Sequence, residues 1–199
     1  MDSFNQFLSV YFLQTGMGWA AIGGVAAMMF GCIGSAMGIR IASGQAAGVL
    51  SEKPELFSKL LVLMALPGTQ GFYSFICMMF IASNTNMINA NGYNPDTAVN
   101  CPPVVGLALM FVGICVGLVQ YWSARYQGET SAAAINLVGR HPQESGRAIL
   151  LPALVETYAL VGLLAGILMT IFITKPKVFA EPAIKIVTSK GIVKWDLNK

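Results

Sequence analysis

Charge is scarce in this chain. Only 11% of its residues are Asp, Glu, Lys or Arg, against roughly a quarter in ordinary soluble domains. A single histidine, His141, excludes histidine-rich metal clusters and offers no Ser/His/Asp or Cys/His arrangement; in its charged connection it reads as a solvated loop residue. No G-x-x-x-x-G-K-[ST] run is present, so no phosphate loop holds a nucleotide. No basic, aromatic-rich patch suggests nucleic acid. The four cysteines make no disulfide framework: Cys32, Cys77 and Cys115 sit in apolar segments and read as small hydrophobes. Cys101, in the polar segment NCPP, is the one expected to meet an oxidant, as a free thiol. The start, MDSFNQF, has an acid and no basic cluster, unlike a cleavable signal.

What remains is apolar. Hydrophobic residues make up 55% of the chain, and a membrane helix needs about 20 of them in a row. Four stretches qualify: Gly16 to Ile41, Leu56 to Ser83, Val104 to Ser123 with an extension toward Val138, and Ala148 to Thr174. The expected fold is an all-α membrane protein, four transmembrane helices arranged as two tandem hairpins. Residues 1–83 form the first hairpin, 84–103 an outer link, 104–174 the second hairpin and 175–199 a C-terminal extension. Basic residues flank two short connections, around Ser51 to Glu55 and Gly139 to Arg147, and are missing from Asn84 to Pro103. The positive-inside rule then places the short loops in the cytoplasm of a multi-pass protein of the cell membrane, with both termini outside. The lysines of the tail oppose that orientation.

The chain reads as a doubled unit. Each short loop has a proline, Pro54 or Pro142, and each following helix another, Pro67 or Pro152. A polar residue and a tyrosine come next: Gln70 and Tyr73, then Glu156 and Tyr158. Small-xxx-small pairs (Gly34 and Gly38, Gly113 and Gly117, Gly162 and Gly166) allow close helix packing, and the glycine-dense first helix suggests a crowded inner wall. Trp19, Tyr121, Trp122 and Tyr126 read as packing or interface aromatics.

Glu156 is the only carboxylate within Ala148 to Thr174. A charge at the bilayer centre costs about 2.5–3.5 kcal/mol on insertion scales, so such a group is neutralised, paired or used. Glu156 lies nine residues past Arg147, Gln70 eleven past Lys59 and Gln127 thirteen before Arg140. At about 1.5 Å per residue these depths allow a common plane. Leu66, Thr69, Gln70 and Tyr73 share one helix face, and Pro67 withholds a donor from the Leu63 carbonyl. This set of oxygens either hydrogen-bonds between helices or cages a dehydrated monovalent cation. Residues alone leave both open.

LPGTQGFY (Leu66 to Tyr73), VETYA (Val155 to Ala159) and the spacing back to Gln127 resemble subunit K of bacterial V-type, Na⁺-translocating ATPases, the duplicated rotor proteolipid. The resemblance covers about Gly16 to Thr174. It implies Na⁺ held by the Leu66 carbonyl, the Thr69 hydroxyl, the Gln70 and Gln127 amides and the Glu156 carboxylate, which carries the ion, with Tyr73 hydrogen-bonding Glu156. It further implies a ring of identical copies in lipid, a stator membrane subunit supplying an arginine, a central-stalk subunit gripping the charged loops, and ATP chemistry on partner subunits. Only one carboxylate then serves four helices, with Gln70 in the acid's place in the first hairpin. Three features depart from the family: a longer outer link, the tail, whose AIKIVTSKGIVKW suggests a short hairpin, and the pair Arg125 and Glu129. Two residues subtend about 200°, so that pair is expected to point away from Gln127. Rival readings are the same rotor carrying H⁺, a small four-helix proton-coupled secondary transporter, and a structural proteolipid lining a pore.

Overall fold

Two prolines set the layout. A residue before proline is pushed out of the helical region, and Lys53 (φ −136°, ψ 71°) and His141 (φ −131°, ψ 80°) both leave it. Each helix before them stops there, and each proline opens a 3₁₀ turn, Pro54–Leu56 and Pro142–Glu144, where its missing N–H costs nothing. The second turn begins 88 residues after the first (142 against 54). The closing hydrogen bonds keep the same interval: Lys53 N–H donates to Val49 O, His141 N–H to Leu137 O. The loops are therefore copies residue for residue.

The computed structural model describes residues 4–5, 8–88, 101–175, 187–189 and 192–194. Among the described residues, four helices are long and apolar enough to cross a membrane: α1 (Met17–Glu52), α2 (Pro54–Asn84), α3 (Pro103–Arg140) and α4 (Pro142–Thr174). They form the two expected hairpins, α1–α2 and α3–α4. Pro67 imposes one 3₁₀ turn on α2, Leu66–Gly68. Pro152 lies in the first turn of the regular part of α4, Leu150–Thr174; its missing N–H leaves the Ala148 carbonyl without a helical donor, and the helix is broken at Ile149.

The hairpins meet through glycine. A Cβ added to Gly106 would lie 1.9 Å from the Gly16 carbonyl oxygen, one on Gly113 2.1 Å from that of Gly23, and one on Gly128 2.5 Å from Gly38. Only hydrogen in place of Cβ lets α1 and α3 approach backbone to backbone. The paired glycines stand 90 residues apart (106 against 16), so the helices run parallel and in register over their length. α2 packs on α1, α4 packs on α3, and α2 reaches across to α3 and α4. α1 and α3 thus make one layer, α2 and α4 the other.

Among the described residues, two large clusters of buried apolar residues form, besides the small pair Met17 and Cys101. One, near the short loops, contains Ala42, Leu60, Leu63, Ile135 and Val138; the other, toward the opposite end, contains Ala27, Cys77, Leu109, Val116 and Leu163. Between them lies a layer of fully buried amides, Gln70, Gln120 and Gln127. At the loop end, Lys53 Nζ donates to Gly139 O at 2.6 Å and Lys59 Nζ to Pro142 O at 3.1 Å, lashing the two turns together.

Cys101 corrects an expectation. It is buried against Met17, and burial pushes its thiol above the usual range. Its carbonyl accepts the Gly16 N–H at 2.6 Å, so the end of the link is folded onto the mouth of α1 rather than offered to oxidants. Most of the outer link, 89–100, lies outside the described residues. In the tail, β1 (Val187–Ser189) pairs antiparallel with β2 (Ile192–Lys194), the hairpin that the alternation suggested; residues 176–186, 190–191 and 195–199 lie outside the described residues.

Candidate functional site

The broken turn of α2 brings its polar face to the junction of α3 and α4. The Leu66 carbonyl accepts both the Thr69 N–H and, at 3.1 Å, the Thr69 hydroxyl. Thr69 Oγ1 also lies 3.4 Å from Gln70 Oε1. Gln70 Nε2 donates to Gln127 Oε1 across the helices, and Gln127 Nε2 donates to Pro152 O at 3.2 Å. One turn further along α4 is Glu156, half-buried, whose Oε1 accepts the Tyr73 hydroxyl at 2.7 Å. All six residues singled out in the sequence therefore meet, through α2, α3 and α4, in one polar layer between two apolar ones.

The cluster is rich in oxygen. It combines a carboxylate, two amide carbonyls, a threonine hydroxyl and a backbone carbonyl freed from regular helix geometry. Among the described residues no group of three or more His, Cys, Asp or Glu could hold a metal. Cysteine- or histidine-based binding of a soft metal is therefore not what these donors offer. Neutral oxygens with one carboxylate suit a hard cation of single charge.

No cation among the described residues takes that place. Arg125 Nε pairs with Glu129 Oε1 at 3.5 Å, and its guanidinium lies 5.6 Å from the centre of the Trp122 ring. Both residues project from α3 on the side away from buried Gln127, as the spacing predicts. Trp122 stacks on Tyr126 and meets Tyr121 edge-on, while Trp19 Nε1 donates to Phe12 O at 3.0 Å. These aromatics pack, as expected. His141 is exposed.

Three polar residues were not singled out in the sequence. Gln120 is fully buried, donates from Nε2 to Ala159 O at 2.8 Å and leaves its own Oε1 without a partner. Ser123 Oγ lies 3.5 Å from Val155 O. Ser131 is buried with an unpartnered hydroxyl. With Gln127 they follow i, i+3, i+7 and i+11, one face of α3. That periodicity was the available signal.

The comparisons agree with this architecture. The family model described as the ATP synthase C subunit matches residues 22–81 and again 110–169. The two matches have equal length and start 88 residues apart (110 against 22), the interval of the loops. At that interval the counterpart of Glu156 is Gly68, and that of Gln70 is Tyr158. The expectation that Gln70 stands in the acid's place is corrected. It followed Pro67 and Pro152, which are not equivalent; Pro67 corresponds to Val155. Among curated proteins, the chain is 32% identical to V-type sodium ATPase subunit K of Enterococcus hirae over 78% of its own length and 92% of that protein. It is 29% identical to A-type ATP synthase subunit K of Methanocaldococcus jannaschii, over 81% and 66% respectively. It is 30% identical to the V-type proton ATPase c′ subunit of Saccharomyces cerevisiae, over 49% and 60%. The chain belongs to the ATP synthase C subunit family, as a duplicated, four-helix membrane proteolipid of the V/A type.

Proposed function

We propose that this chain is a rotor-ring subunit that takes up Na⁺ as its cargo at Glu156 and carries it past a stator, coupling ion flow to rotation. The ligands in this reading are the Leu66 carbonyl, Thr69, Gln70, Gln127 and Glu156, with Tyr73 holding the carboxylate. The observation that carries it is one polar layer that holds a carboxylate, two amides, a hydroxyl and the Leu66 carbonyl, more oxygens than a proton needs. The sodium ATPase relative supports the choice of ion.

The chemistry is electrostatic. A bare carboxylate facing lipid is costly; Na⁺ beside it cancels the charge and lets that part of the rotor enter the hydrocarbon. The neutral donors replace the ion's water. Tyr73, donating to one carboxylate oxygen, leaves the other for the cation. A stator arginine opposite Glu156 draws the carboxylate off its ion and opens exchange with water. Each charge moved across the membrane is worth about 2.3 kcal/mol per 100 mV, the energy coupled to turning. Identical copies close the ring, the lashed loops at Lys53 and Lys59 meet a central stalk on the cytoplasmic side, and ATP is handled by partner subunits.

Carbodiimide labelling decides the ion. Glu156 is expected to react, and Na⁺ to protect it at fixed pH. Labelling that follows pH alone, indifferent to Na⁺, would assign H⁺ as the cargo.

A further inference from the structure

α1 and α3 are counterparts in the repeat, but the residues through which they touch are not. The repeat interval is 88, yet the glycines of α1 and α3 touch at an interval of 90. Two residues turn a helix by about 200°, so α1 and α3 meet through opposite faces of the same repeated unit. Such a contact is head-to-tail, and it leaves on each outer side the face that the other hairpin uses inside.

The grooves show this directly. In the second hairpin, the groove between α3 and α4 contains Gln120, Gln127 and Glu156, and α2 fills it with Leu66, Gln70, Tyr73 and Cys77. In the first hairpin, the equivalent groove between α1 and α2 contains Cys32, Ile39 and Gly68 at the same three places. It stands open, a cavity of about 600 Å³ completed by Met28, Ala36 and Phe75. Three polar groups have become apolar or vanished. Nothing among the described residues fills this cavity, yet a filler exists. The α4 counterparts of Leu66, Gln70 and Tyr73 are Leu154, Tyr158 and Val161, which are 67%, 75% and 62% exposed. Of their α2 equivalents, Gln70 is fully buried and Leu66 and Tyr73 are half-buried.

We propose that the Leu154/Tyr158/Val161 stripe of one copy seats in the Cys32/Ile39/Gly68 groove of the next, repeating between chains the fit of α2 within the chain. This rests on the ring reading and adds to it which surfaces meet. The first-hairpin groove is then a counterpart of the ion site whose polar groups have been replaced by an apolar socket, with Tyr158 as its plug. The internal pair Gln70 and Gln127 touches side chain to side chain; its counterparts across the boundary are Tyr158 and Ile39.

The test is a cross-link in native membranes. In a full-length chain with Cys32 and Cys115 replaced by alanine, Tyr158→Cys combined with Ile39→Cys is oxidised with copper phenanthroline. Most of the chain is expected in a ladder of dimers, trimers and higher bands on denaturing gels, with each single variant monomeric. Monomers alone from the double variant, while native mass spectrometry shows an intact ring, would overturn the interface and spare the ring. No ring in the unsubstituted protein would overturn both. As a second measurement, Ala36→Trp fills the socket. It is expected to leave an inserted chain and at least tenfold less ring; an undiminished ring would also sink the proposal.

Discussion

Glu156 receives one hydrogen bond from the described chain, and that bond comes from Tyr73. A hydrogen bond to a charged group contributes about 1.5–3 kcal/mol, so Tyr73→Phe should raise the Na⁺ concentration for half-protection of Glu156 by roughly tenfold or more. A titration of carbodiimide labelling measures it. Gln127 joins two neighbours, accepting from Gln70 and donating to Pro152. Gln127→Ala strands both, and each buried unpaired group costs about 1–3 kcal/mol. We expect weaker Na⁺ protection and a lower melting temperature, with the ring retained. Cys101 offers a control outside the spans. Its burial disfavours the thiolate, the reactive form, so a water-soluble maleimide should label it slowly in the folded protein and fast after denaturation.

The helices are held by different means on their different sides. α1 and α3 depend on glycine at the crossing, where an added Cβ meets backbone that cannot move aside. Gly113→Val should therefore cost at least the roughly 1–3 kcal/mol typical of overpacking, seen as a lower melting temperature of the solubilised protein. Gly48 contrasts with it. A Cβ there meets nothing within 4 Å, and Gly48→Ala in a helix interior should stabilise by about 0.5–1 kcal/mol. α2 owes its polar face to its break: Pro67 makes the 3₁₀ turn that presents the Leu66 carbonyl beside Thr69 and Gln70. The duplicated loops, tied by Lys53 and Lys59, fix both hairpins at one height, which keeps Gln70, Gln127 and Glu156 in one layer.

For the whole molecule, the mismatch between a repeat of 88 and a contact register of 90 decides what the chain can build. A like-face contact would close on itself as a pair. A head-to-tail contact leaves one face unused at each end and continues into a closed circle when the rotation allows. In the proposed reading, one ion-carrying carboxylate per four helices then follows from Gly68 at the place of Glu156. Fewer ions per turn cross for a given number of helices, which suits a steep gradient. Glu156→Gln should leave the mass of the ring unchanged, because a neutral amide still fits beside Tyr73. It should abolish Na⁺-coupled turnover of the reconstituted complex, because no carboxylate is left to hold and release the ion. Retained coupling in that variant would refute the role of Glu156.

Composition and periodicity carried the membrane class, the four spans, the doubling and the polar residues Thr69, Gln70, Tyr73, Gln127 and Glu156, because lipid demands long apolar runs and a polar group within one stands out. Pro54 and Pro142 marked the turns, since proline constrains the residue before it wherever it stands. Three things were not legible in the chain as letters. Burial of Cys101 depends on where the link folds back, which no local pattern records. Gln120, Ser123 and Ser131 share the helical spacing of Gln127, but their burial, and the α4 carbonyls that meet Gln120 and Ser123, are set only by packing. The partner of Glu156 in the first hairpin was mistaken because prolines at different places in α2 and α4 looked equivalent, whereas loop geometry sets the interval. Local steric rules act through neighbours in sequence; which faces meet depends on packing between distant helices, where glycine at one register and bulk at another select the contact.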